Sequence, residues 1–218
     1  MKQDAFFAIL RHDIEMNQAA GAQGLVACFF LLTLAFISFA LHIALGVESA
    51  VLQKVAPASI WLCFLLAAVI SLEHIFIRDE EEGVLDQLML SALSLEGIVL
   101  AKACAHCISF LIPLLGLAVF TAILLNLAAS DIMWLVLALF CGAPAMSLLG
   151  TLASLLCLGL KRPAMLIGLL CLPFYLPLLL FGAMAMEKVS AVLILAGFSL
   201  AWGLLAPVIG AFILRERE

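Results

Sequence analysis

Charged residues are scarce in this chain. Asp, Glu, Lys and Arg make up 11% of its 218 residues, against about 25% in soluble globular domains. With 67% hydrophobic residues and a mean hydropathy of +1.31, there is too little polar side chain to cover a water-facing surface, and a soluble fold is excluded. Basic residues are scarcer than acids, ten against fifteen, leaving a net charge of −5. Nucleic acid is therefore excluded as a partner, because polyanion binding needs a basic stripe. The chain also lacks a G-x-x-x-x-G-K-[ST] phosphate loop, so any work driven by ATP requires hydrolysis in a separate polypeptide. No Ser-His-Asp set, paired-carboxylate site or metalloprotease pattern occurs, and the chain reads as a non-enzyme.

What is abundant is long apolar sequence. Windows at 24–45, 57–72, 103–127, 132–158, 164–186 and 190–214 each approach the ~20 residues that a bilayer span requires. They predict an all-α integral membrane protein of six transmembrane helices, with one membrane domain over 24–214, a polar segment 1–23, a loop at 73–102 and a tail at 215–218. The shortest window reaches the ~30 Å hydrocarbon thickness if it continues through Ile75, Phe76 and Ile77. The first 23 residues are polar and mixed in charge, and window 24–45 is too long for a signal-peptide core, so the N-terminus is expected to be retained. None of the six windows contains Asp, Glu, Lys or Arg, which argues against a proton-coupled carrier, since relays are built from intramembrane ionisable groups.

Six spans put Lys2, Arg11, Arg78, Lys102, Lys161, Arg162, Arg215 and Arg217 on one side and leave Lys54 and Lys188 on the other. Basic residues are retained in the cytoplasm, so both termini and the 73–102 loop are expected there, with Trp61 and Trp134 at the outer interface. In segment 1–23, Phe6, Phe7, Leu10 and Ile14 share one helical face and Asp4, Arg11 and Glu15 another, which predicts an amphipathic helix lying on lipid. Asp13 intrudes at the edge of its apolar face.

The 73–102 loop concentrates the acids Glu73, Asp79, Glu80, Glu81, Glu82, Asp86 and Glu96. Asp79 suits an N-cap with Glu82 three residues on, and Glu80 and Glu81 suit the positive end of the helix that follows. Val84, Leu85, Leu88 and Met89 then form an apolar stripe, so a short amphipathic helix is expected over 79–90. Its stripe rests either on lipid or on a soluble subunit.

Within the windows, Pro113, Pro144, Pro173, Pro177 and Pro207 either distort helices around a translocation route or are ordinary membrane prolines. Pro144 and the pair Pro173 and Pro177 are the helix-distorting candidates, the pair removing two helix hydrogen bonds one turn apart. Ala143, Ser147 and Thr151, with Gly150 and Ser154 alongside, make a small-residue packing face, either between subunits or within one. Cys104, His106 and Cys107 do not converge on one side of a helix, so no metal site is expected, and the other cysteines are scattered through the windows. His42 and His106 lie within the windows, where a histidine either meets a ligand or satisfies buried partners.

Taken together, Ile75-Phe76-Ile77-Arg78-Asp79-Glu80-Glu81-Glu82-Gly83-Val84-Leu85-Asp86-Gln87-Leu88-Met89-Leu90 and Val99-Leu100-Ala101-Lys102-Ala103-Cys104-Ala105-His106 resemble the CcmB-type haem exporter family, permeases of the cytochrome c maturation ABC complex. Val55-Ala56-Pro57 with Trp61, Gly159-Leu160-Lys161-Arg162, Leu172-Pro173 and Leu176-Pro177-Leu178-Leu179 extend the likeness over about 52–182. Cys107, where the family commonly has Trp, and His74, where it often has a basic residue, depart from it. The resemblance implies an ABC-2-like permease of the bacterial inner membrane. It further implies a cytoplasmic ATPase subunit, haem-handling membrane subunits, a homodimeric arrangement within the complex, and haem as a handled ligand rather than a covalent cofactor. By the same likeness, Arg78, Asp79, Glu80, Glu81, Glu82, Gly83, Leu85, Asp86 and Leu88 belong to a coupling helix that receives the ATPase stroke, and His106 is a polar or haem-related position. An ABC-2 permease for another lipophilic or polymeric substrate, and a non-transporting scaffold relaying ATPase motion, are the competing readings.

Overall fold

The computed structural model describes residues 2–19, 33, 37, 46, 48–72, 75–91, 93–160 and 163–216. Window 24–45 lies outside the described residues apart from Thr33 and Ile37, as do His42, His74, Lys161, Arg162 and Arg217. All regular structure among the described residues is helical: α1 (Lys2–Ala19), α2 (Ser49–Ser71), α3 (Ile77–Glu81), α4 (Val84–Met89), α5 (Leu95–Leu124), α6 (Ala129–Leu156), α7 (Pro163–Met184) and α8 (Val189–Arg215). Five of these, α2 and α5 to α8, are long and apolar enough to cross a membrane. The chain is a multi-pass, all-α membrane protein.

The helix starts follow local chemistry. Ser94 caps α5 by accepting the Gly97 N–H at 3.3 Å, one of the amides a helix N-terminus leaves without a partner. Gly83, at φ +70°, separates α3 from α4 in the left-handed region that glycine tolerates best. The expected single helix over 79–90 is thus two short helices with a bend between them. Asp79 does not cap either: Phe76 holds the N-cap position of α3, and the Asp79 carboxylate is engaged elsewhere. The second span also differs from expectation. It gains its length at its N-terminal end, through Pro57, and closes at Leu72, so Ile75, Phe76 and Ile77 lie beyond it. A proline costs one backbone hydrogen bond without ending a membrane helix.

Helix α6 is the axis of the bundle, packing against α2, α5, α7 and α8, while α1 lies along α5. Its small residues allow this. Ala143, Ser147, Thr151 and Ser154 are all buried, and a Cβ on Gly150 would run into Leu72, so the small-residue face is intramolecular.

Trp61 corrects the interfacial expectation. It is completely buried, its ring seated over two glycines of α6 and α7. A Cβ on Gly142 would stand 2.7 Å from Trp61 Cη2, and one on Gly182 would collide with Cε2. An aromatic belt needs rings at the water boundary; here the indole fills space that the glycines leave open.

Pro144 has no N–H to give to the preceding turn of α6, and a neighbour repairs the turn. Ser199 Oγ of α8 accepts the Ala145 N–H at 3.1 Å and donates to the Cys141 carbonyl, standing between two groups that would otherwise bond each other. Helices α5, α7 and α8 likewise run on through Pro113, through Pro173 and Pro177, and through Pro207.

Replacing Gly182 by alanine overpacks the Trp61 seat and is expected to cost about 1–3 kcal/mol, read as a lower thermal unfolding midpoint in detergent. The W61F change in the same background, which replaces the colliding indole by a smaller ring, is expected to recover part of the loss.

Candidate functional site

Polar and charged side chains collect at one end of the bundle. There α2 finishes, α5 begins, α6 turns into α7, and α8 ends with Arg215 3.6 Å from Glu96 of α5. At the opposite end, Gln53 Nε2 of α2 donates to the Asn126 carbonyl in the α5–α6 turn at 2.7 Å. The acidic α3–α4 element belongs to the charged end.

The bundle itself holds that element. Leu85 is buried, and Ile77, Leu88 and Met89 pack on the hydrophobic core, so the predicted apolar stripe rests on the chain's own bundle. Glu80 Oε2 accepts the backbone N–H of Gly159 at 2.9 Å, tying α3 to the α6–α7 turn, where Gly159 has φ +76°. Arg78 donates to Glu82 at 2.8 Å one turn on. Glu81, Asp86, Gln87 and Leu90 face outward. A depression of about 300 Å³, lined by Glu80, Gly83, Leu85, Asp86 and Met89, opens beside them.

Beneath the element stands Lys102 of α5, with only 5% of its side chain exposed. Its Nζ donates to Asp13 Oδ1 of α1 at 3.0 Å, lies 3.0 Å from Asp13 Oδ2, and pairs with Asp79 Oδ2 of α3. The Phe76 ring lies 5.9 Å from the same ammonium. Burial pushes the Asp79 carboxyl above its ordinary value, and the Lys102 charge opposes that shift. Two carboxylates from separate elements thus replace the water an ammonium would otherwise hold. Asp13 and Lys102 were absent from the sequence-derived site. The signals were Asp13, which broke the apolar face of α1, and Lys102, which stood just outside its apolar window.

One turn further along α5, His106 is 1% exposed. Its Nε2 lies 2.7 Å from Ser71 Oγ of α2 and its Nδ1 2.6 Å from Ser147 Oγ of α6, and the ring stacks on Phe110. Because Ser71 Oγ donates to the Ala68 carbonyl at 2.7 Å, the network assigns the proton to Nε2, with Nδ1 accepting from Ser147. Both ring nitrogens are occupied, so His106 joins three helices and offers an iron no lone pair unless those bonds break. Cys104 and Cys107 are half-buried free thiols. Among the described residues no cluster of His, Cys, Asp and Glu is arranged to hold a metal.

A bundle of helices long and apolar enough to cross a membrane, bearing an anchored acidic projection at one end, defines a polytopic membrane protein. The family model described as CcmB protein matches residues 4–215, and the chain belongs to that family. It is 37% identical over 216 residues to heme exporter protein B of Paracoccus denitrificans, covering 95% of this chain and 97% of that protein. It is 37% identical over 161 residues to heme exporter protein B of Rhodobacter capsulatus, covering 73% and 72%, and 33% identical over 210 residues to that of Haemophilus influenzae, covering 95% and 90%.

Replacing Lys102 by methionine leaves Asp13 and Asp79 without a counter-charge and is expected to cost about 3–5 kcal/mol, measured by thermal unfolding in detergent. The triple change D13N, K102M and D79N, which removes all three charges, is expected to cost less than K102M alone.

Proposed function

We propose that this chain is the membrane permease subunit of an ABC-type complex for cytochrome c biogenesis, working in haem export or in the ATP-driven release of a haem-loaded periplasmic chaperone. Membership of the CcmB family, with relatives named heme exporter protein B, supports the haem part of this reading. The missing phosphate loop supports a separate ATPase subunit. The α3–α4 element carries the coupling role. It stands at the end of the bundle, its outward residues include the acidic Glu81 and Asp86 with Gln87 and Leu90, and its inward residues grip three parts of the fold.

In this reading a displacement applied to the element cannot be absorbed locally. Leu85, Leu88 and Met89 carry it to the core, and Glu80 carries it to the α6–α7 turn. Arg78, Asp79, Glu80, Glu82, Gly83, Leu85 and Leu88 shape and anchor the element, whereas Glu81 and Asp86 meet the ATPase. Two ATPases closing on each other need two such elements, hence a homodimer beside haem-handling membrane subunits. The excess of Lys and Arg on the α3–α4 side supports a cytoplasmic position for that end and for both termini, in the bacterial inner membrane.

The double charge reversal E81K and D86K spares every internal contact of the element. It is expected to lower the amount of co-purifying ATPase subunit and the c-type cytochrome content by about tenfold, while the thermal midpoint of the purified chain stays unchanged. Unaltered co-purification and unaltered haem staining would exclude the coupling role.

A further inference from the structure

We infer that Lys102 makes the amphipathic helix α1 a working part of the coupling device, with Asp13, Lys102 and Asp79 as positioning residues that oblige α1, α3 and the start of α5 to move together. This deepens the proposed function and rests on it for the source of the stroke.

The argument begins with electrostatics. A helix that only floats at a lipid surface needs no carboxylate on its protein-facing side. Asp13 is nonetheless directed onto an ammonium 5% exposed, alongside the Asp79 carboxylate of the acidic element. Because Lys102 is shared, neither aspartate can leave without changing the charge felt by the other. His12 Nδ1, 3.7 Å from Asp13 Oδ1 and itself exposed, adds a weak solvent-facing contact on α1 alone and does not replace the buried one.

Covalent connection and packing extend the link. Phe76, next to the first residue of α3, is fully buried against the same ammonium. On α5, Lys102 and His106 lie one turn apart and so on one face. The lower residue holds α1 and α3, while the upper one holds α2 through Ser71 and α6 through Ser147. That face of α5 therefore gathers four other helices at two levels. A push on α3 reaches α1 directly through the shared ammonium, and reaches α2 and α6 through the histidine one turn above. Chains of packed side chains with hydrogen-bonded and charged contacts of this kind carry energetic coupling between distant parts of a fold.

Hydrogen exchange on the full-length chain in lipid nanodiscs tests the shared link without any ATPase present. The D13N change, made on α1, is expected to raise amide exchange in α3 by about tenfold, and D79N, made on α3, to raise it in α1 by a similar factor, with α8 unaffected. K102Q is expected to raise both. The exchange K102D with D79K keeps two acids and one base in the cluster and is expected to restore protection to α1 and α3. In cells, K102Q is expected to lower c-type cytochromes at least fivefold while the ATPase subunit still co-purifies, and the charge exchange is expected to recover them. If D79N leaves α1 exchange unchanged, or K102Q leaves cytochrome levels intact, the inference is overturned. Loss of ATPase co-purification from the unmodified chain would instead strike the proposed function, and the exchange measurements would still decide whether α1 and α3 are linked.

Discussion

An ammonium group can be withdrawn from water only where carboxylates stand in for its hydration shell, and at Lys102 this requirement organises one whole end of the molecule. The two carboxylates come from sequence positions 13 and 79. The cluster can therefore form only after α1, α3 and the first turns of α5 have assembled. The same cluster fixes how far the acidic element stands from the bundle, because Phe76 and Asp79 are drawn inward while Glu81 and Asp86 are left outside.

Deeper in the bundle the same economy of polar groups recurs in uncharged form. Hydrocarbon offers polar groups no partner, so a group left unmet there is costly, and several in the bundle are met from within the protein. Tyr175, fully buried, donates to the Met146 carbonyl at 2.6 Å, Thr151 donates to the Ser147 carbonyl, and His106 sits between two hydroxyls. The tyrosine bond ties α7 to α6, Ser147 ties α6 to α5 through His106, and the other nitrogen of that histidine ties α5 to α2. The helix with the most neighbours is thus tied to three of them, α5, α7 and α8, by hydrogen bonds as well as by packing.

Much of this was legible in the sequence because membrane helices are dictated by composition. Apolar windows of the right length predict spans, and the described helices match five of them to within a few residues except at the N-terminal ends of α2 and α5, where an apolar tally stops at Pro57 and at Lys102 although the backbone does not. The acidic element was legible as a cluster of charge in a chain poor in it. Its contacts were not. Leu85 and Leu88 make the pattern of an amphipathic helix whatever they lie against, so periodicity could not say that the partner was the chain's own core. Trp61 was misplaced for a related reason. Its seat is made by Gly142 and Gly182, residues that come together only after three helices have packed. Asp13 and Lys102 each looked like a small defect in an otherwise regular pattern, and two such defects explain each other only in three dimensions.

The Ser199 hydroxyl offers a last consequence. It occupies the gap in the Pro144 turn from a different helix, between the Ala145 amide and the Cys141 carbonyl. Sliding α8 along α6 by even a fraction of a turn would pull that peg from its slot and oblige the bent turn to close on itself before its two peptide groups could meet. The pair is thereby keyed in register, and α8 cannot telescope along α6 without reshaping the helix beside it.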